Sequence, residues 1–236
     1  MSSTSDRAAP RKRSGVLANI GFNIVIPTLI LTKLSSEEYL GPAWGIVIAL
    51  AFPVGYGLRD WLQTRRHNFF SILGIVSVVL TGSMSLLQLD PAYIAIKEAA
   101  IPGLLGLATL ISAYTRWPLA KIFLYNEQVM RVERVKAALE RHQAETAFEQ
   151  RLRNASFMVA ASFFLSSVLN YMLARLLLVS PPGTPEYAAE LGKMTALSFP
   201  VIAVPSTIVL MGAMFYLLSG IRKLTHLTFE EIFQEL

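Results

Sequence analysis

Long apolar runs alternate with short polar segments along this chain, and each run has roughly the length that a bilayer requires. A hydrocarbon core about 30 Å thick takes about 20 apolar residues of helix. Six runs qualify: Val16–Leu34, Tyr39–Leu58, Phe69–Leu89, Glu98–Tyr114, Ala155–Val179 and Thr195–Gly220. Backbone N–H and C=O groups find no water in lipid, so these runs predict helices, which satisfy them internally. The expected fold is therefore all-α, a polytopic membrane helix bundle whose six spans form three hairpins. The fourth run is the shortest and begins on a charge, which leaves open whether it crosses fully.

Residues 125–153 break this pattern. They hold no Gly or Pro and are rich in Glu, Arg, Ala and Leu, all good helix formers. Glu127 with Arg131, and Glu149 with Arg153, have the favourable i,i+4 order. Val132, Val135 and Leu139 make a thin apolar stripe, with Met130 and Phe148 nearby. One cytoplasmic helix of 125–153 is expected between spans four and five. It is either a solvated connector or a docking surface for a partner or for anionic lipid headgroups. The organisation then reads as a basic tail 1–15, membrane spans within 16–124, the helix 125–153, further spans within 154–220 and a second tail 221–236.

Charge gives the bundle a direction. All but four of the 21 Lys and Arg fall in segments 1–15, 59–68, 115–153 and 221–236. The exceptions are Lys33, Lys97, Arg175 and Lys193. Basic loops stay inside, so both termini are expected in the cytoplasm of a bacterium, with the protein in its inner membrane. Arg11, Lys12 and Arg13 precede the first run as they would in a signal peptide, but the run exceeds an h-region and no A-x-A site follows, so it is expected to be retained. The net charge of +5 is explained by this bias without nucleic acid. With 53% hydrophobic and only 16% charged residues, the composition suits a surface that faces lipid. Zero cysteines exclude disulfides, thiolate metal sites and a Cys nucleophile.

Polar residues inside the spans are where function would have to sit. Asn19 and Asn23 share a face of span one. Gly74, Ser77, Thr81 and Ser85 line span three, and Ser162, Ser166 and Asn170 recur at i,i+4 in span five. Such residues serve as packing glue between helices or line a polar path. At the outer ends, Lys33, Lys97, Glu98, Arg175 and Lys193 form a candidate basic mouth for an anionic solute or headgroup. Its plainer alternative is snorkelling with an Arg175–Glu98 pair. Pro27, Pro53, Pro102, Pro200 and Pro205 interrupt helix positions and predict kinks. The outer turns share a Tyr, Lys and Pro order (Lys33, Tyr39, Pro42; Tyr93, Lys97, Pro102; Tyr187, Lys193, Pro200), which either duplication or interface chemistry would produce.

No Walker A loop, H-E-x-x-H or G-x-S-x-G occurs, and His67, His142 and His226 have no ligand spacing. The expectation is no catalytic residue, no metal and no cofactor. The segments DPAYIAIKEAAIPGLL, TRWPLAKIFL and LRNASFMVAASFFLSSVLNYML resemble the bacterial intracellular septation protein A family over residues 45–220. Asp90, Lys97, Pro102, Pro118, Leu119, Arg153, Asn154, Phe163, Phe164 and Asn170 carry the likeness. The longer 125–153 segment and the Pro-rich outer loop at Pro181, Pro182 and Pro185 depart from it. The resemblance implies a non-enzymatic inner-membrane protein with a scaffold or accessory role in cell-envelope maintenance or septation. Its partners would be membrane lipids and other inner-membrane or division proteins, with homo-oligomers possible. The competing reading is a small permease or a lipid or anion translocator that works as an oligomer.

Overall fold

The computed structural model describes residues 20–64, 69–115, 117–127 and 130–233. Asn19 and the clusters Arg11–Arg13 and Arg65–His67 lie outside them. The described chain is helical: α1 Gly21–Leu34, α2 Gly41–Thr64, α3 Phe69–Leu86, α4 Pro91–Ser112, α5 Ala120–Leu124, α6 Val132–Arg141, α7 Glu145–Leu177, α8 Pro185–Thr225 and α9 Phe229–Ile232. Among the described residues, four helices are long and apolar enough to cross a membrane: α2 over Gly41–Arg59, α4, α7 and α8. Two apolar segments, Gly21–Leu34 and Ile72–Leu86, are shorter.

Helix boundaries follow local chemistry. Asp90 caps α4 by accepting from the Ala92 N–H at 2.7 Å, and Pro91 follows at the first helical position. α8 ends where His226 turns left-handed at φ 57°. The prolines act in two ways. Pro53 and Pro102 sit inside regular α-helix. Pro27 is flanked by π turns at Gly21–Val25 and Ile30–Leu34, and Pro200 lies in a π turn at Phe199–Ala203 with Pro205 just beyond. A proline has no N–H to give, and a widened turn is one way a helix absorbs that loss.

Two expectations change. Tyr187 and Lys193, placed in an outer turn by the sequence, are helical, because α8 is a 41-residue helix that begins at Pro185. Tyr187 is fully buried whereas Tyr39 and Tyr93 are exposed, so the three repeated tyrosines do different work. The single helix over 125–153 is also broken. α6 stops at Arg141, Gln143 adopts φ 51°, and α7 starts afresh at Glu145. The reason is phase. Leu139 and Phe148 are nine residues apart, which at about 100° per residue sets them half a turn out of register. An unbroken helix could not bury both in one core, and the break lets it.

The chain divides into two compact units, 1–89 with 179–196, and 90–178 with 197–236. In the first, α2 packs on α1 and α3. Small residues make the contacts: Gly45 meets Ser35, and a β-carbon at Gly82 would lie 2.7 Å from Leu50. Gly192 lies against Leu31 and Thr32, and Thr28 donates to its carbonyl at 3.4 Å. In the second unit, α7 is the central helix, with α4 and the later part of α8 packed along it. Gly106 seats on Phe163 and Phe164, and Gly103 faces Ser167. Close approach of this kind is how helices associate where lipid removes the hydrophobic drive.

Candidate functional site: a folded cap with an interfacial pocket

The nominated polar residues fall in both units. Asn23, Ser77 and Thr81 belong to the first, and Ser162, Ser166 and Asn170 to the second. Many of these groups bond within their own helix. Thr81 donates to the Ser77 carbonyl at 3.1 Å, and Ser85 to Thr81 at 2.8 Å. Asn170 donates to the Ser166 carbonyl at 2.8 Å. Such i−4 bonds let a hydroxyl or amide ride in an apolar helix without a second helix to answer it. Ser162 instead reaches across to the Ser206 carbonyl at 2.7 Å. Ser167, which the sequence did not single out, does the same to Ala99 at 2.7 Å. Ser85 also lies 3.3 Å from the buried Tyr187 hydroxyl.

The outer basic residues divide likewise. Lys33 and Lys193 belong to the first unit, and both are exposed. In the second, Lys97 is 8% exposed and pairs with Glu98 at 2.6 Å. The expected Arg175–Glu98 pair does not form; Arg175 is exposed and makes no ion pair among the described residues.

The best-formed feature of the second unit is a cap built from α5, α6, α9 and the adjoining ends of α7 and α8. Leu124, Met130, Val135, Leu152, Leu217, Ile221 and Ile232 are all essentially inaccessible. Met130, Val135, Leu139 and Phe148 thus turn into this core, so the apolar stripe of 125–153 is used for intramolecular packing. The face of α6 left outside is charged, with Glu133, Lys136, Glu140 and Arg141 exposed.

The residues after α8 close the cap. The Arg131 N–H donates to the Ile232 carbonyl at 2.8 Å, and Met130 bridges to Phe233. Thr228 and Glu231 form a reciprocal capping box on α9, and Arg134 pairs with Glu231 at 2.5 Å. The Thr228 backbone N–H and hydroxyl hold the Glu231 carboxyl below the usual carboxylate range against the opposing effect of desolvation, and Arg134 adds a lesser contribution in the same direction. Burial, helped by the nearby Glu133 charge, pushes Tyr125 up to about 12 while its hydroxyl donates to the Val132 carbonyl at 3.3 Å. The T-F-E-E run was a readable signal for this capping box. The meeting of His142 and His226, with ring centroids 5.4 Å apart, had no signal at all in the sequence. Among the described residues no group of three or more His, Asp or Glu is placed to hold a metal ion.

Beside the cap, the turn after α4, the start of α5 and the first turns of α7 border a half-open pocket of about 620 Å³. Tyr114, Thr115, Lys121, Thr146, Glu149 and Arg153 are among its lining residues. The Tyr114 ring is held against Phe157, with centroids 5.7 Å apart. Glu149 and Arg153, expected to pair, form no ion pair with each other.

No family model matches the chain, and comparison with curated proteins and with solved structures returns no match.

Proposed function

We propose that this chain is a non-enzymatic protein of the bacterial inner membrane, with both termini in the cytoplasm, and that it acts as a scaffold or accessory protein in cell-envelope maintenance or septation. The observation that carries the reading is the cap. It has a closed apolar core of its own, with Val135 and Leu139 inside and Glu133, Lys136, Glu140 and Arg141 outside. A rigid, charged helix face displayed on an embedded bundle suits recognition of a polar partner surface. The resemblance of residues 45–220 to the septation protein A family and the one-sided distribution of Lys and Arg point the same way. The six-span, three-hairpin arrangement belongs to this proposal, with Gly21–Leu34 and Ile72–Leu86 as parts of the two remaining spans.

A second reading rests on the Lys97–Glu98 pair, since a buried charge in an apolar helix often marks a path for ions or headgroups. It makes the protein an oligomeric permease or a lipid or anion translocator.

Complementation in cells lacking the chain separates the two, with cell length and detergent sensitivity as readouts at matched protein abundance. Under the scaffold reading, Lys136→Glu/Glu140→Lys/Arg141→Glu abolishes rescue, whereas Asn170→Ala, Arg175→Ala and Lys97→Met retain it. The reverse pattern would overturn that reading in favour of transport.

A further inference from the structure

We propose that the pocket beside the cap binds the headgroup of an anionic glycerophospholipid, a phosphodiester that carries a hydroxyl-bearing substituent. The site is separate from the α6 face on which the scaffold reading rests.

Charge comes first. Lys121 is half-buried in the wall and Arg153 stands at the rim, and neither has a carboxylate partner among the described residues. Two cations in one lining that also holds a single carboxylate leave a net positive charge there, and they supply the charge-assisted donors that a phosphate oxygen takes. Thr115 spends its one hydroxyl proton on the Ser112 carbonyl at 2.8 Å and accepts from the Trp117 N–H at 3.2 Å, which leaves Thr146 as the hydroxyl donor of the lining. Glu149 is the acidic member of the lining. It would accept from a headgroup hydroxyl, and it opposes a doubly charged phosphate. The lining is therefore suited to a singly charged diester. At about 620 Å³ the cavity also falls in the range of small-molecule sites.

A lipid is favoured over a soluble anion by what continues from the pocket wall. Leu104, Leu107, Ile111 and Tyr114 are all exposed, and they follow one another at helical spacing along α4 up to the cavity. Next to them, Trp117 is 81% exposed. An apolar stripe that ends in Tyr and Trp and then in Lys and Arg has the polarity order of a lipid leaflet from acyl chain to headgroup.

The test is lipid binding by native mass spectrometry of the full chain in detergent. It is titrated with dioleoylphosphatidylglycerol, dioleoylphosphatidylethanolamine or inorganic phosphate. The wild-type protein should retain phosphatidylglycerol in preference to phosphatidylethanolamine, and millimolar phosphate should not displace it. Lys121→Gln/Arg153→Gln should weaken retention roughly thirtyfold. The charge-matched control Lys136→Gln/Arg141→Gln on α6 should leave it unchanged. Lys121→Arg/Arg153→Lys should bind as wild type, and equal thermal unfolding of all variants excludes misfolding as the cause. An equal loss in the α6 control, equal retention of the zwitterionic lipid, or displacement by phosphate would each overturn the proposal. None of these readouts depends on complementation, so failure here leaves the scaffold reading intact, and the reverse also holds.

Discussion

The cap and the long helices of the same unit are held together by different forces. In the cap, Leu152, Ile221 and Ile232 are hidden while charged side chains face out, as in a water-soluble domain. Along α4 and α7 the order inverts, with Leu104, Ile111, Val168 and Leu176 exposed and Gly103, Gly106, Ser162 and Ser167 at the contacts. Water drives the first arrangement because apolar surface leaves it on folding. In a lipid-facing helix the outside is as apolar as the inside, so close approach and hydrogen bonds must do the holding. Burial therefore has a different value at each end of one continuous helix, α7.

The largest expected effect tests that contrast directly. Leu152→Ala should destabilise the cap by about 2–5 kcal/mol, the usual range for a buried leucine. Leu176→Ala, at a position 71% exposed on the same helix, should change stability by less than about 0.5 kcal/mol. Reversible unfolding in mild detergent measures both, and equal losses would break the comparison. Adding volume sharpens it next. A β-carbon at Gly106 would lie 3.1 Å from the Phe164 ring, so Gly106→Val should cost about 1–3 kcal/mol through overpacking. Gly74→Ala, which meets nothing within 4 Å, should not destabilise. Removing the interhelical bond with Ser162→Ala should cost about 0.6–1.7 kcal/mol.

The smallest effect concerns acid. Because Glu231 is held below its ordinary range, its contribution is complete above the unfolded carboxyl value. It fades as pH falls through the depressed folded value. Hydrogen exchange at the Arg131 amide should therefore quicken between about pH 4.5 and lower values in the wild type. That part of the response should vanish in Glu231→Gln. An unchanged profile in the variant would assign the acid response to other groups.

The apolar helices were legible because hydropathy and length are local properties. Their ends were less so, since Pro185, an acceptable first residue of a helix, gave no warning that α8 would run 41 residues. The break between α6 and α7 could have been read from the half-turn mismatch of Leu139 and Phe148, although composition alone argued for one helix. The pocket was harder to see. Tyr114 and Lys121 lie outside 125–153, and only the fold brings them to Thr146 and Arg153. The polar stripe in span three was visible, but its chemistry was not, because i−4 bonding and a ligand site use the same residue types.

The tie between α6 and α9 also sets an order of assembly. Arg134 and Glu231 are 97 positions apart, with the whole of α7 and α8 between them. As the chain emerges, the α9 partner of α6 is delivered only after both long helices, although α5 and the start of α7 already lie close by in sequence. The contacts that tie α6 to α9, Arg131 with Ile232 and Arg134 with Glu231, therefore depend on both long helices having been made and turned back first.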